Sequence, residues 1–266
     1  MAEKALSILT PSYNQSKYVT ENIQSVKRQE LDDVEHIVLD GGSDDGTVDI
    51  LKEYDDTYDL RWVSEPDRGQ THALNKGFQM ANGEWIGWQN SDDFYLSGAF
   101  SKFQESLKEN PQADAIYGDL VIVNENSDEI SQQFMTRPSK FIQRHWSLFA
   151  SNQALFVRRS ALEKIFPLSE DLEFTMDAEL TWRLLERDLN LVHVSEPLGA
   201  FRVQPNAKTF GRVRDSQDEE LQQIYDYPLY QRVVPSVILE KLAKATKAAL
   251  LLSDQNFNAL WYNLMN

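Results

Sequence analysis

The sequence has no cysteine among its 266 residues. Disulfides, thiolate metal sites and a cysteine nucleophile are thereby excluded, and the composition suits a reducing compartment. Positive charge is scarce: 26 Lys and Arg stand against 42 Asp and Glu, a formal net charge of −16. Such a surface repels polyanions, so nucleic acid is not expected as a partner. A small anionic ligand needs a local site that reverses the field, through a metal or a few basic side chains. No apolar run reaches membrane-spanning length, and the N-terminus enters a strand-like segment without a signal-peptide pattern, so a cytoplasmic protein is expected. The four histidines (His36, His72, His145 and His193) show no metal-ligand spacing. Internal repeats and low-complexity segments are missing as well.

What is there is a core-forming chain, with 41% hydrophobic residues. Short apolar runs at Leu6–Thr10, His36–Leu39, Arg61–Val63 and Trp85–Trp88 predict strands. Between them, Val19–Arg28, Thr47–Tyr54 and Thr71–Ala81 carry helical spacing, so a mostly parallel sheet with helices on both faces is expected. Ligands of such sheets sit beyond the carboxyl ends of the strands, where the turns read TPSYN, DGGSDDGT and NSDD. After residue 110 the pattern changes. Ala115–Tyr117, Leu120–Val123, Ile130–Phe134, Ala154–Val157, Leu191–Val194 and Gly199–Val203 predict strands, with a hairpin around Asn124–Asp128 and an amphipathic helix over Ala178–Arg187. From about residue 216 the chain reads as wholly helical.

The turn Val38–Thr47, VLDGGSDDGT, invites three readings. An EF-hand loop with Gly46 at position six puts Gly41 at position one and Lys52 at position twelve, which fails. A P-loop fails because Thr47 stands where the lysine belongs and Asp44 with Asp45 repel phosphate. A strand-to-helix turn explains Gly46 and one acid but not Asp40, which ends the strand; a carboxylate there can accept a nucleobase N–H.

The segments SILTPSYNQSKYVTENIQSV, HIVLDGGSDDGT, EPDRGQTHALNKGF, GEWIGWQNSDD and FTMDAELTWRL occur in this order. The ordered set resembles family 2 glycosyltransferases of the GT-A fold, over roughly residues 5–205. The resemblance implies an α/β nucleotide-binding sheet in residues 1–215, with a donor half (1–110) and an acceptor half (111–215), and a helical extension over 216–266. It implies that Thr10, Pro11, Ser12, Tyr13 and Asp40 hold the base and ribose of a nucleoside-diphosphate sugar, with Asp67 and Gln70 also at the nucleotide or donor sugar. Asp92 and Asp93 become the acids of a site for Mn²⁺ or Mg²⁺, with Asp92 also at the nucleotide sugar, and oxygen donors suit both ions. Asn90 stands where the leading acid of the fuller motif belongs, which leaves open which of the two acids touches the ion and which the ribose. Asp177 becomes the general base of an inverting transfer to an acceptor hydroxyl. Met176 replaces the usual preceding Glu, and Gln204 occupies an expected His position, so no metal role is carried to it. Arg202 and Lys208 are candidates to meet the diphosphate.

Two other functions compete. A sugar nucleotidyltransferase needs a Gly-rich basic phosphate loop, and LTPSYNQSKY has no Gly. A non-catalytic nucleotide-sugar-binding module fits Met176 and Gln204. Trp85 and Trp88 read as core, whereas Trp146 and Trp182 are candidates to stack on a saccharide or lipid-linked saccharide acceptor. In the tail, Ile238, Leu242, Ala245, Ala249 and Leu252 form one stripe with Lys241, Lys244 and Lys247 off it. The stripe suits peripheral contact with a membrane surface, its own domain, or a twin subunit in a homodimer.

Overall fold

A computed structural model of the chain describes residues 4–29, 31–204, 214–225 and 236–253. The first half alternates β1 (Lys4–Ser12), α1 (Val19–Lys27), β2 (Val34–Asp40), α2 (Thr47–Tyr54), β3 (Leu60–Ser64), α3 (Gln70–Met80) and β4 (Gly83–Trp88). There follow β5 (Phe94–Tyr95), α4 (Ala99–Glu109), β6 (Ala115–Val123), β7 (Glu129–Gln133) and α5 (Lys140–His145). A 3₁₀ turn (Asn152–Ala154) leads into β8 (Leu155–Arg158), α6 (Arg159–Leu162), α7 (Met176–Leu185) and β9 (Leu191–Arg202). Two tail helices, α8 (Arg214–Ile224) and α9 (Ser236–Ser253), complete the described chain.

One sheet runs β3-β2-β1-β4-β8-β6-β9-β5, with β7 also on β6. The first four strands are parallel; β8 is antiparallel to β4 and β6, and β9 is parallel to β6. This is the expected α/β sheet, with a mixed second half. Leu6, Ile8, Leu9, Ile37 and Leu39 are all buried, as strands covered on both faces require. Asn75 on α3 exchanges two bonds with Leu168, its Nδ2 donating to the carbonyl and its Oδ1 accepting from the amide, both at 2.9 Å. It is a packing residue.

Register levels the strand ends: Ser12 pairs with Asp40, and Asp40 with Ser64. From β1 the chain steps outward to β2 and β3, then returns to β4 on the other side of β1. That reversal opens a crevice at the carboxyl ends of β1 and β4, the place where such sheets bind ligands.

Sequence periodicity does not anticipate β5, α4, α5 or the 3₁₀ turn. Leu191–Val194 and Gly199–Val203 prove to be parts of one strand, irregular opposite Gly118 and Asp119. On α9 the face that packs on the protein is not the anticipated stripe, which sets aside only packing against its own domain. Leu239, Ala243 and Leu251 are buried, and α9 packs on α5. Ile238 and Leu242 are 48% and 52% exposed, and Ala245 and Ala249 are also exposed, so the anticipated stripe faces outward. The side chain of Leu252 lies outside the described residues. No helix among those residues is long and apolar enough to cross a membrane.

Candidate active site

Beyond the strand ends lies a cavity of about 820 Å³. The β1 end contributes Pro11, Ser12 and Tyr13, and the β2 end Gly41. Asp67 and Gln70 follow β3, Asn90 and Asp92 follow β4, and Asp177 closes the cavity from α7. The volume is at the upper end for small-molecule sites, leaving room for two substrates.

The acids differ in which oxygens stay open. Asp40 was expected at the base, yet it is buried and its carboxylate is consumed by its own turn. Oδ2 accepts from Gly42 N (3.1 Å), Ser43 N (2.9 Å) and Ser64 Oγ (2.6 Å), while Oδ1 accepts from Ser43 Oγ (2.5 Å). It shapes the loop and does not line the cavity. Thr10 is likewise buried, its Oγ1 2.8 Å from His36 Nε2. Asp67 does line the cavity, with Oδ1 accepting from Gly69 N (2.8 Å) and Oδ2 above Gly41. Only a residue without a side chain leaves that space free: a Cβ on Gly41 would lie 2.9 Å from Asp67 Oδ2. Tyr13, 62% exposed, offers an aromatic ring at the rim.

Asp92 and Asp93 also separate. Asp93 is buried beneath the loop, where Oδ1 accepts from Arg202 N (2.8 Å) and Oδ2 from Gln153 Nε2 (2.7 Å) and Asn90 Nδ2 (3.2 Å). This leaves it no open face, contrary to its expected place beside a metal. Asp92 lines the cavity, with one bond from Gln204 Nε2 at 2.7 Å. Burial pushes the Asp92 carboxyl up, against the Gln204 bond and the Arg202 charge. Burial and then the neighbouring Asp92 push Asp93 well above the usual carboxylate range. Among the described residues no three His, Cys, Asp or Glu side chains cluster as a metal cage. Asp92 supplies carboxylate oxygens beside the cavity, while Gln204 steadies it through Nε2. The arrangement fits a hard divalent ion completed by substrate phosphates, because Mg²⁺ is commonly held by one or two carboxylates with substrate.

Arg202 is spent on the protein. Its Nε donates to Asp92 O (2.8 Å), Nη1 to Asn124 O (3.2 Å) and Ser127 Oγ (3.0 Å), and Nη2 to Glu21 (2.5 Å). It props the loop rather than waiting for a diphosphate. Lys208 lies outside the described residues. Gln70 Nε2 donates to Asn90 Oδ1 (2.7 Å), which also accepts from Trp88 Nε1 (2.8 Å).

Asp177 is the second residue of α7, two places past the cap position held by Thr175, so it is no N-cap. Its Oδ1 accepts from Ala178 N (2.7 Å). Burial raises its pKa, and the Glu220 charge acts in the same direction, outweighing the backbone bonds. A helix start favours the ionised form; burial overrides it and makes the carboxylate more basic.

Sequence reasoning missed Asn152 and Gln153. Gly199 lets the 3₁₀ turn lie against β9: a Cβ there would meet Gln153 O at 2.0 Å. The turn brings Gln153 to Asp93 and Asn152, buried with Nδ2 unpartnered among the described residues, to the cavity wall. No local pattern marks them. Of the candidate acceptor platforms, Trp146 is 44% exposed, but Trp182 is buried between Tyr225 and Arg144.

Fold and cavity together define a glycosyltransferase of the GT-A class. The chain belongs to glycosyl transferase family 2, whose family model matches residues 7–166. It is 28% identical over 189 residues to a poly-beta-1,6-N-acetyl-D-glucosamine synthase of Staphylococcus epidermidis, covering 68% of this chain and 46% of that one. The chain thus spans about half that relative's length. Among solved structures it is similar to S. aureus TarS 1-349 in complex with UDP-GlcNAc (TM-score 0.66, 19% identity, 80% of this chain, 64% of that one). It is also similar to the mannosyltransferase PcManGT from Pyrobaculum calidifontis in complex with GDP-Man and Mn²⁺ (TM-score 0.64, 17% identity, 95% and 76%). At these identities the likeness establishes the fold.

Proposed function

We propose that the chain moves a sugar from a nucleoside-diphosphate sugar to an acceptor hydroxyl in one inverting displacement, with Asp177 as general base. The observation that carries this reading is a single cavity holding Asp92 and Asp177 as its walls, Asp177 with raised proton affinity. The structural relatives hold UDP-GlcNAc and GDP-Man, which supports a nucleoside-diphosphate donor.

The nucleotide lies over β1 and β2. Tyr13 stacks on the base, and Asp67, in place of the occupied Asp40, accepts its imide or amide N–H. Asp92, with Gln204 bonded to it, would hold Mg²⁺ or Mn²⁺. The ion supplies charge stabilisation to the departing diphosphate. Asp177 accepts the acceptor's hydroxyl proton as that oxygen attacks the anomeric carbon. The bond to the diphosphate oxygen breaks on the opposite face and its electron pair leaves with the diphosphate. One displacement inverts the anomeric centre, and no bond to the enzyme forms. The apolar stripe of α9, flanked by Lys241 and Lys244, supports a peripheral membrane contact and an acceptor carried on lipid.

The test combines a panel of sugar nucleotides and metal with Asp177→Asn. Nucleotide diphosphate release is expected from one donor. The variant is expected to bind that donor normally and to transfer about a hundredfold or more slowly. Near wild-type transfer by the variant, or product retaining the donor's configuration, overturns the mechanism.

A further inference from the structure

The C-terminal extension reaches back to the wall that carries Asp177. Glu220, on α8, is buried at 8% exposure with no cation against it among the described ion pairs. Its carboxylate instead gathers donors from the segment preceding α7. Oε1 accepts from Glu173 N (2.9 Å), and Oε2 from Phe174 N (3.0 Å), Thr175 N (3.0 Å) and Thr175 Oγ1 (2.7 Å). Thr175 occupies the cap position of α7 without capping it, because its hydroxyl is turned to Glu220. Bonds to a carboxylate are the strong kind, and a half-buried backbone N–H left without one is costly. The segment so held contributes Glu173, Phe174, Met176 and Asp177 to the cavity wall. Gln217, one helical turn before Glu220, lines the cavity too. A second tie lies at the helix end, where Tyr225 meets Trp182 of α7 edge-on with centroids 4.8 Å apart.

We propose that Glu220 is a positioning residue for the transfer: it fixes the 173–175 segment and thereby the orientation of Asp177 toward the acceptor hydroxyl. This rests on the reading of Asp177 as the base. The tail is on this account part of the acceptor site and not an appendage.

Glu220 also supports the base electrically. Its charge raises the proton affinity of Asp177, after the larger effect of burial. Other charged groups around α7 are engaged elsewhere. Glu179 pairs with Arg183 on the same helix, and Lys140 and Arg144 of α5 lie over the Trp182 ring. Glu173 precedes the helix and is exposed. Replacing Glu220 by a neutral side chain should therefore lower the pKa of Asp177, and the acid limb of the pH–rate profile should move to lower pH.

The experiment uses the full chain and the donor found active, comparing wild type, Glu220→Gln, Glu220→Asp and Asp177→Asn. Glu220→Gln is expected to lower kcat by about tenfold or more with donor KM little changed, and to shift the acid limb downward. Glu220→Asp restores the charge and is expected to return the limb to its wild-type position. In the wild type, native-state exchange of the Phe174 and Thr175 amides is expected to be slow, a measurement that needs no variant to fold. Fast exchange at those amides overturns the proposal. So does a Glu220→Gln protein that loses melting temperature while kcat and pH profile stay in place. If Asp177→Asn keeps its rate, the base reading has failed; if that variant is inactive and Glu220→Gln leaves the acid limb unmoved, Glu220 alone has been misassigned.

Discussion

Around the strand ends that border the cavity, acids of identical chemistry are sorted by what already occupies their oxygens. Asp40 gives both oxygens to Gly42, Ser43 and Ser64, and Asp93 gives both to Arg202, Gln153 and Asn90. Asp67 and Asp92 remain open to the cavity. That division was invisible along the chain. NSDD shows two adjacent carboxylates, and, Asn90 apart, the partners that separate them lie 60 to 112 residues away. The family's acids were legible as a set; their roles were not, because a role depends on free lone pairs. Gly41 offers a direct check. A methyl group there would displace the Asp67 carboxylate while meeting no backbone atom among its nearest neighbours. Gly41→Ala is therefore expected to weaken donor binding by up to about tenfold, the scale of one hydrogen bond, with little change in stability. Titration calorimetry giving equal donor affinity for Gly41→Ala and wild type would remove Asp67 from the base.

The elements most easily read from the chain were those with one unbroken signal. β1, β2 and β4 are apolar runs; β2 and β4 stop before Gly41 and Gln89-Asn90, whereas β1 runs through Pro11 to Ser12, and their burial on both faces explains why they lack alternation. α4 carries its signal in Phe100, Phe103 and Leu107 behind Gly98, a helical spacing that starts without a side-chain cap. β9 looked like two strands because Ser195-Glu196-Pro197 interrupts its apolar pattern where the register shifts. Within β2, His36 carries a consequence for stability. It is fully buried, its ring nitrogens meet Thr10 Oγ1 (2.8 Å) and Tyr58 Oη (2.6 Å), and burial depresses its pKa to about 3. An unfolded chain protonates this ring below its ordinary value near 6.5, whereas the folded chain does so only near 3. The unfolded state thus binds more protons across that window, and stability should fall as pH drops from 6.5 toward 3. The slope from this group reaches at most about 1.4 kcal/mol per pH unit. His36→Gln should be less stable at neutral pH but show a flatter acid dependence in denaturant titrations at pH 7 and pH 5. Parallel slopes for the two proteins would mean that His36 is not held neutral by burial.

Across the whole molecule, charge and apolar surface are unevenly spread. The chain carries a net charge of −16, yet the outward stripe of α9 is flanked by Lys241 and Lys244, the latter 3.8 Å over the half-exposed Trp146 ring. Lys244 pairs with Glu240 on the same helix at 2.9 Å, so the attraction to an anionic bilayer rests on Lys241. The apolar stripe and the half-exposed indole of Trp146 suit the bilayer interface. Co-flotation with anionic liposomes is expected, weakened by salt and lost in the double variant Ile238→Asp, Leu242→Asp. Protein that stays at the bottom of the gradient in low salt removes the membrane from the account.

The loop Asn90–Asp93 also bears on how such enzymes can be recombined. Arg202 N and Gln153 hold Asp93, Arg202 Nε holds the Asp92 carbonyl, and Gln204 holds the Asp92 carboxylate. The Asp92–Asp93 end of the cavity is thus assembled from residues before and after position 110. A chimaera that grafts a foreign segment after that position onto this first half would inherit the acids without their supports. A successful graft must carry positions 153, 202 and 204 along with the strands that precede them.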